Sequence, residues 1–180
     1  MIKISYNIKE YRKQLFDTIK CDDTIIELGC HVGKTTEMIL KDHENCKIIA
    51  MDNSPEAVTA MGDLEKNYNN LTFIPGDVRL HEKIKEVFEN TQKCDLLSID
   101  LGGGYHPDTV FKVFYIWSST FKPRDTIIRN KGLVDFCRSS ITTDEDYSSE
   151  NGYLASCGSE GIPPQIKEFD LWTQALSNKK

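Results

Sequence analysis

Short apolar segments alternate with longer amphipathic ones from residue 24 to residue 130, and this alternation leaves few folds open to the chain. Strands that alternate with helices are typical of βαβ units, in which the strands run parallel. The pattern therefore predicts an α/β fold with a doubly wound, mostly parallel sheet of about six to seven strands and helices on both faces. The strands predicted from the apolar segments are Thr24–Leu28, Lys47–Met51, Leu71–Ile74, Asp95–Ile99 and Thr126–Arg129.

The segments between these strands predict four helices. One covers Lys34–Lys41, and the next runs from Pro55 to about Tyr68, where Ser54 suits the N-cap and Pro55 the first helical position. The fourth runs from Pro107 to about Thr120 and is rich in aromatic residues, which packing against a sheet explains better than a substrate platform does. The third carries an apolar stripe formed by Leu80, Ile84, Val87 and Phe88.

The two ends of the chain differ from the middle. Residues 1–21 predict an N-terminal helical segment, in which Lys9, Arg12 and Lys13 would form a solvated basic face. Residues 139–165 are rich in serine, glycine and acidic residues, which predicts a loop with a short strand near 153–156. This loop is either a lid or a plain surface connection. The segment 166–173 is apolar enough to dock back, and the whole chain is expected to form one domain, 1–180.

Charge and composition narrow the function classes. A net charge of −6 and a pI near 5.3 argue against a large nucleic-acid-binding surface, which needs clustered lysine and arginine. No apolar run approaches the length of a membrane span and the N-terminus lacks a signal core, so we expect no membrane association and a cytoplasmic protein. The six cysteines show no zinc-site spacing, and Cys46 and Cys94 are expected to be packing residues. The sequence gives no indication of oligomeric state.

A glycine-marked turn connects the first predicted strand to the first predicted helix. Gly29 and Gly33 allow the backbone to turn tightly and to approach a ligand closely. A P-loop needs four residues between its first glycine and its Gly-Lys pair, whereas three residues separate these glycines. The dinucleotide-binding fingerprint needs glycines where His31 and Lys34 stand. The spacing therefore disfavours both of these sites, and a tight turn without a ligand is a further alternative.

Glu27, Gly29 and Gly33 match the acidic residue and two of the glycines of a known motif. In these positions the segment resembles motif I of the class I S-adenosylmethionine-dependent methyltransferases, and His31 stands where a middle glycine often sits. The resemblance implies a Rossmann-like methyltransferase fold and S-adenosylmethionine as the cofactor. It also implies that the cofactor is bound by the loop residues Glu27, Gly29, Cys30, His31 and Gly33.

Three further strand ends carry residues that the resemblance would use. Asp52, followed by Asn53, resembles motif II, which implies bonds from its carboxylate to the ribose hydroxyls; a strand-end or capping aspartate is the alternative. Asp77 and Val78 resemble the motif that binds adenine through a carboxylate and a backbone amide, although Gly-Asp is also a common turn. Asp100 resembles motif IV, next to the reacting methyl group. The carboxyl ends of parallel strands share one edge, so these residues should meet there.

Asp100 and His106 are the candidate catalytic residues, because an acceptor hydroxyl or amine must lose a proton during methyl transfer. Tyr105 and Lys131 are further candidates for this base, and the alternative for His106 is a helix-cap or loop histidine. Some small-molecule methyltransferases bind a divalent metal through ligands after the fifth strand. Here only Asn130 suits that role, between two cations, so we predict no metal.

The acceptor is the open question. Arg129 and Lys131 indicate an anionic acceptor, either a small molecule or a protein, unless they are ordinary surface charges. The prediction is therefore a methyltransferase with an unidentified small-molecule or protein acceptor. A catalytically silent module that binds S-adenosylmethionine is the first alternative. An RNA methyltransferase is a weaker one, because the chain is acidic.

Overall fold

The computed structural model describes residues 1–143 and 149–156. Six strands and six α-helices alternate in this part of the chain, and a short 3₁₀ turn at Gly102–Gly104 follows the fifth strand. In chain order the elements are β1 (Ile2–Ser5), α1 (Ile8–Thr18), β2 (Thr24–Leu28), α2 (Lys34–Asp42), β3 (Lys47–Asp52), α3 (Pro55–Glu65), β4 (Leu71–Pro75), α4 (His81–Asn90), β5 (Leu96–Ile99), α5 (Pro107–Phe121), β6 (Asp125–Arg129) and α6 (Lys131–Ser139).

The described strands form one sheet in the order β1-β6-β5-β2-β3-β4, and every neighbouring pair is parallel. From β2 the chain adds β3 and β4 on one side, whereas β5, β6 and β1 lie on the other. The strand order therefore reverses between β2 and β5. A reversal of this kind opens a crevice at the carboxyl ends of the two strands, which is where ligands bind in such sheets.

The two faces of the sheet bury separate apolar cores, because successive residues of a strand point to opposite faces. Ile25 packs on the face covered by α1, α2 and α3, where Leu15 and Met61 are fully buried. Ile26 packs on the opposite face with α4 and α5, where Trp117 is fully buried. Helices thus cover both faces, and the predicted doubly wound α/β fold is confirmed. The aromatic residues of α5 are largely core, as expected, although Phe111 is exposed.

All five predicted strands are present within one residue of their predicted ends. Differences occur in the helices. Leu80 is not part of the buried stripe of α4, because it is the N-cap residue and is 45% exposed, whereas Ile84 and Val87 are buried. Helix α3 ends at Glu65 rather than near Tyr68. The ends of α2 and α5 agree with the prediction within one residue, so the differences are confined to the end of α3 and the start of α4.

Two elements have no counterpart in the sequence prediction. Residues 2–5 form a strand rather than part of a helical segment, and Ile4 pairs with Ile128 of β6. Helix α6 begins after Asn130, whose side-chain oxygen accepts a hydrogen bond from the Leu133 amide at 2.9 Å. Strand β1 runs directly into Tyr6 and α1, and so brings the first helix to the carboxyl edge of the sheet.

The amino edge of the sheet, opposite the crevice, is held by an ion pair. Arg124 donates from Nη1 and Nη2 to the two carboxylate oxygens of buried Asp23 at 2.8 and 2.9 Å. Residues 149–156 contact this same edge, where Thr126 donates to the Gly152 carbonyl and the Gly152 amide donates to Pro123. The described part of the segment predicted as a loop or lid therefore lies away from the crevice.

Residues 153–156 form turns and bends rather than the predicted short strand. The rest of that prediction falls partly on 144–148 and 157–165, which lie outside the described residues, as does the segment 166–173 expected to dock back. Among the helices in the described part, none is long and apolar enough to cross a membrane. Cys46 and Cys94 are buried, in agreement with the packing role expected for them.

Candidate functional site

Four neighbouring strand ends bring Glu27, Asp52, Asp77 and Asp100 to the carboxyl edge of the sheet. Backbone hydrogen bonds fix these ends against one another. The Gly29 amide donates to Met51 at 2.9 Å, the Asp100 amide to Leu28 at 2.9 Å and the Gly76 amide to Asp52 at 2.9 Å. The sequence predicted that these carboxylates would share one crevice, and their backbones do so.

The turn after β2 requires glycine at both of its predicted positions. Gly29 has φ +91° and Gly33 has φ +75°, a region that residues with a Cβ rarely adopt. A Cβ at Gly29 would collide with the Asp100 carbonyl, and one at Gly33 would lie 2.5 Å from the Met61 sulfur. The tight contact between Gly29 and the backbone of Asp100 brings the ends of β2 and β5 together at the crevice.

His31 occupies a left-handed position with φ +48°, which explains why a glycine suits this point of the turn. Its backbone amide donates to Asp52 Oδ2 at 2.8 Å, and its side chain is exposed on the wall of a cavity. The backbone of His31 therefore orients Asp52. Histidine is tolerated here because the backbone, rather than the side chain, makes this contact.

Asp52 is a fixed acceptor at the end of β3. In addition to the His31 contact, its Oδ1 accepts a hydrogen bond from the Ser54 amide at 2.8 Å. Ser54 is the N-cap residue of α3, as expected, but its side chain makes no capping bond. Each carboxylate oxygen of Asp52 has a second lone pair beyond these bonds. Asp52 thus retains acceptor capacity toward the cavity that it lines.

A cavity at this edge has a volume of about 300 Å³, and we call it the Asp52 cavity. Asp77 on its wall is not free, because Arg79 donates from Nε and Nη2 to its carboxylate, with a shortest distance of 2.5 Å. These hydrogen bonds from Arg79 hold the pKa of Asp77 below its ordinary value. The wall also includes Gly29, Asn53, Val78, Leu101 and His106.

The second cavity, of about 190 Å³, lies on the other side of the turn, and we call it the Glu27 cavity. Gly29 lines both cavities, so the two adjoin at the turn. The walls of the Glu27 cavity come from α1 as well as from the strand ends. They include Tyr11, Arg12, Glu27, Cys30, His31 and Asp100.

Glu27 is almost completely buried, with 2% of its surface exposed. Its Oε2 accepts a hydrogen bond from the Thr36 hydroxyl at 2.6 Å. Burial raises its pKa to about 7, the nearby charges of Asp100 and Asp52 add to the rise, and the Thr36 bond opposes it. Near neutral pH, a positively charged group in the cavity would therefore favour the ionised form of Glu27.

Replacing Glu27 by glutamine is expected to remove a pH dependence from the stability of the protein. The raised pKa means that Glu27 stabilises the fold while protonated, and this contribution is lost as pH rises through about 7. The free energy of unfolding of E27Q, taken relative to that of wild type, should therefore rise by on the order of 2–3 kcal/mol from about pH 5 to about pH 8. Urea unfolding at both pH values measures this. E37Q, which alters an exposed carboxylate on α2, is the control, and identical pH slopes for E27Q and wild type would contradict the expectation.

Asp100, at the end of β5, is paired with Arg129 at the end of β6. Arg129 Nη1 lies 3.0 and 3.2 Å from the two carboxylate oxygens, and Arg129 Nε donates to the Tyr6 carbonyl at 3.0 Å. Burial raises the pKa of Asp100, and the positive charge of Arg129 opposes the rise. Arg129 therefore neutralises the carboxylate that resembles motif IV, and its guanidinium is not available as a separate anion site.

Asn130 is buried and fully engaged. Its side-chain amide donates to the Tyr105 carbonyl at 2.8 Å, and its oxygen accepts from Leu133. It therefore anchors the loop that follows β5. In the described part of the chain, no group of three or more His, Cys, Asp or Glu side chains is arranged to hold a metal ion. The absence of a metal stays a prediction from the sequence.

His106 has φ +55° and is the N-cap residue of α5, without a side-chain capping bond. It is exposed and lines the Asp52 cavity, a position that its predicted role as a catalytic residue requires. Cys30 is buried in the turn, and burial raises the pKa of its thiol well above the ordinary range. Cys30 is thus a neutral wall residue.

Sequence reasoning did not predict the roles of three arginines at this site. Arg79 and Arg129 each bind one of the predicted carboxylates, and Arg12 is half-buried at the Glu27 cavity rather than part of a solvated face. A signal was present for Arg12, since it lies four residues after Ile8 and next to buried Tyr11. Arg79 and Arg129 follow strand ends, but no local pattern indicates which carboxylate each one binds.

No protein-family model and no curated protein matches the sequence. Among solved structures, fibrillarin from Aeropyrum pernix with natively bound S-adenosyl-L-methionine is similar, with a TM-score of 0.51 and 21% identity over 63% of this chain. A proposed rRNA methylase from Clostridium thermocellum is similar too, with a TM-score of 0.51 and 15% identity over 66% of this chain. The chain spans 48% of the fibrillarin chain and 65% of the other. A coclaurine N-methyltransferase, with a TM-score of 0.41, is covered to 26% of its length.

Proposed function

Since the chain has the fold of the class I S-adenosylmethionine-dependent methyltransferases, we propose that it transfers a methyl group from S-adenosylmethionine to an acceptor bound beside Asp100. One observation carries the proposal. Two cavities, lined by carboxylates from successive strand ends, meet at Gly29 where the strand order reverses. Their arrangement fits a ligand with a nucleoside at one end and an amino acid at the other.

The Asp52 cavity would hold the nucleoside. Its volume of about 300 Å³ is in the range of small-ligand pockets. Asp52 has acceptor capacity for the two ribose hydroxyls, because its present partners use one lone pair on each oxygen. Asp77 would accept the adenine amino group only by sharing its carboxylate with Arg79, so adenine recognition involves both residues.

The Glu27 cavity would hold the amino-acid end of the cofactor. Glu27 in its ionised form supplies negative charge for an ammonium group, Asp100 supplies carboxylate oxygens beside a sulfonium, and Cys30 supplies a neutral wall. Gly29 lines both cavities, so a ligand that spans them would pass beside its backbone. The polar groups present therefore match those of the cofactor from end to end.

When bound, the cofactor supplies a methyl group that is already activated by its sulfonium. The protein then has to align the acceptor atom with the methyl carbon and exclude water. Asp100 is held by Arg129 on the wall of the Glu27 cavity, so we assign it the task of positioning the reacting groups. His106, exposed at the neighbouring wall, is the candidate to accept a proton from a hydroxyl or amine acceptor.

The acceptor we propose is a small molecule or a protein. Lys131 is an exposed cation next to Arg129, and its ammonium lies 5.8 Å from the centre of the Tyr6 ring. An anionic group on the acceptor would bind there rather than at Arg129, which Asp100 occupies. The net charge of −6 weighs against an RNA acceptor, whose binding would weaken steeply with added salt.

Calorimetry with S-adenosylhomocysteine tests the cofactor assignment. Wild type should bind it, and D52N should bind it at least about tenfold more weakly, since hydrogen bonds to a charged group are lost. D63N is the matched control, because Asp63 is an exposed carboxylate on α3 that forms a surface ion pair with Lys66. Lack of binding to wild type at millimolar ligand, or equal affinity of D52N and D63N, would refute the assignment.

Turnover needs a separate test. Wild-type protein incubated with cell extract and methyl-labelled cofactor should transfer label to a product, and H106A should lower the rate by a larger factor than it lowers cofactor affinity. Fractionation of the label into small-molecule, protein and RNA pools identifies the acceptor class. A protein that binds S-adenosylhomocysteine but labels no pool is a silent binding module, and activity is then excluded.

A further inference from the structure

Arg12 is an arginine of α1 whose charged end is only partly used by the protein. It is half-buried, it lines the Glu27 cavity, and its Nε donates to the Thr35 hydroxyl at 3.1 Å. Within residues 1–143 and 149–156 this is its one hydrogen bond, and it forms no ion pair. The terminal nitrogens Nη1 and Nη2 therefore have no protein acceptor in this part of the chain, although they belong to a cavity wall.

Both negatively and positively charged side chains line the Glu27 cavity. Glu27 and Asp100 are the carboxylates, and Asp100 is matched by Arg129 outside the cavity. Arg12 and exposed Lys34 are the cations on the wall. The charge of Arg12 lowers the pKa of both Glu27 and Asp100, against the larger effect of burial, which raises them. A ligand that carries one positive and one negative group close together would find a partner for each.

From this arrangement we infer that Arg12 binds the α-carboxylate of the cofactor's amino-acid end through Nη1 and Nη2, and so selects the complete cofactor over its decarboxylated form. The inference rests on the proposed function. Arginine suits the task because its planar group presents two parallel donors to a carboxylate. The Thr35 bond holds the guanidinium in place, so less freedom is lost on binding.

Lys34 is the other candidate on the same wall, and the structure favours Arg12 over it. Lys34 is exposed and is the first residue of α2, where its side chain can extend into water. The amino end of α2 lies on the same side of the cavity and adds a favourable field for a carboxylate. This field assists carboxylate binding but favours neither side chain over the other. The fixed donor geometry of Arg12 is what favours Arg12.

Three nucleosides that differ only at the amino-acid end test the assignment by calorimetry. S-adenosylhomocysteine carries both ammonium and carboxylate, decarboxylated S-adenosylhomocysteine carries only the ammonium, and methylthioadenosine carries neither. Wild type should prefer S-adenosylhomocysteine to its decarboxylated form by about tenfold or more. R12M should lose this preference while its affinity for methylthioadenosine stays within about twofold of wild type. R12K, which keeps the charge but not the fork, should fall between them.

K13M is the matched control, since Lys13 is the exposed neighbour on α1 and its loss removes the same charge. It should keep the wild-type preference, and thermal unfolding of each variant confirms that the fold is intact. Three results would overturn the inference while leaving the cofactor assignment in place: no preference in wild type, a preference that survives in R12M, or an equal loss by R12M for all three ligands. Wild-type protein that binds none of the ligands would instead refute the proposed function itself.

Discussion

Replacing Gly29 by alanine is expected to lower the free energy of unfolding by about 3 kcal/mol and to abolish measurable binding of S-adenosylhomocysteine. Two costs add. The residue has φ +91°, where alanine is strained by about 1 kcal/mol or more, and the new Cβ would collide with the Asp100 carbonyl. A backbone carbonyl at a strand end cannot move aside as a flexible side chain can. For a chain of this size, the melting temperature should fall by roughly 6–12 °C.

The chain offers a matched control for this substitution. Gly62 lies inside α3, and a Cβ placed on it would meet no atom within 4 Å. G62A should therefore stabilise the protein by about 0.5–1 kcal/mol, because alanine is the better helix former. Thermal unfolding and calorimetry on both variants measure the two effects. The requirement for glycine at position 29 would be wrong if G29A melted at the wild-type temperature and bound the ligand normally.

Arg129→Met should cost about 3 kcal/mol near pH 8, because it leaves the charge of Asp100 buried without its partner. Both side chains are largely buried, with 19% and 18% exposed, so solvent screens the pair only weakly. Burial already raises the pKa of Asp100, and loss of Arg129 should raise it further. Protonation of Asp100 in the variant then relieves the cost as pH falls. The deficit relative to wild type should consequently shrink toward pH 5.

Two further variants distinguish the effect of losing the Arg129–Asp100 ion pair from the effect of losing a positive charge in general. R138M removes an exposed arginine of α6 and should leave stability within about 0.5 kcal/mol of wild type. The double variant D100N/R129M should recover part of the loss, since no unpaired charge remains. Urea unfolding across the pH range measures all three. A deficit in R129M that is constant with pH would show that lost packing, rather than the charge of Asp100, is the cause.

The sheet was predictable because the local sequence of each central strand indicates a strand. Segments such as Thr24–Leu28 are short, apolar and β-branched, and they are bounded by glycine or charged residues. Because such strands are buried on both faces of the sheet, their apolar residues form a continuous run instead of alternating with polar residues. The strand β1 shows the limit of this reasoning. It has only four residues, and its partner β6 lies more than 120 residues away, so nothing near it in sequence indicates the pairing.

The site was predictable to the level of backbone positions but not of partners. The strand ends of Asp52 and Asp100 follow from topology, since parallel strands finish at one edge. The bond from the His31 amide to Asp52 depends on a left-handed residue, and the contact of Arg129 with Asp100 depends on how β5 and β6 lie side by side. Such contacts arise from the assembled fold. The local sequence around each residue therefore contains no sign of them.

The ion pair of Asp23 with Arg124 stands at one end of the strands, and the two cavities stand at the other. A five-residue strand such as β2 separates the two edges by about 16 Å. Substitutions at the amino edge of the sheet can therefore alter the stability of the protein without changing the shape of the two cavities. The protein therefore has room to adapt its heat tolerance and its ligand preference separately.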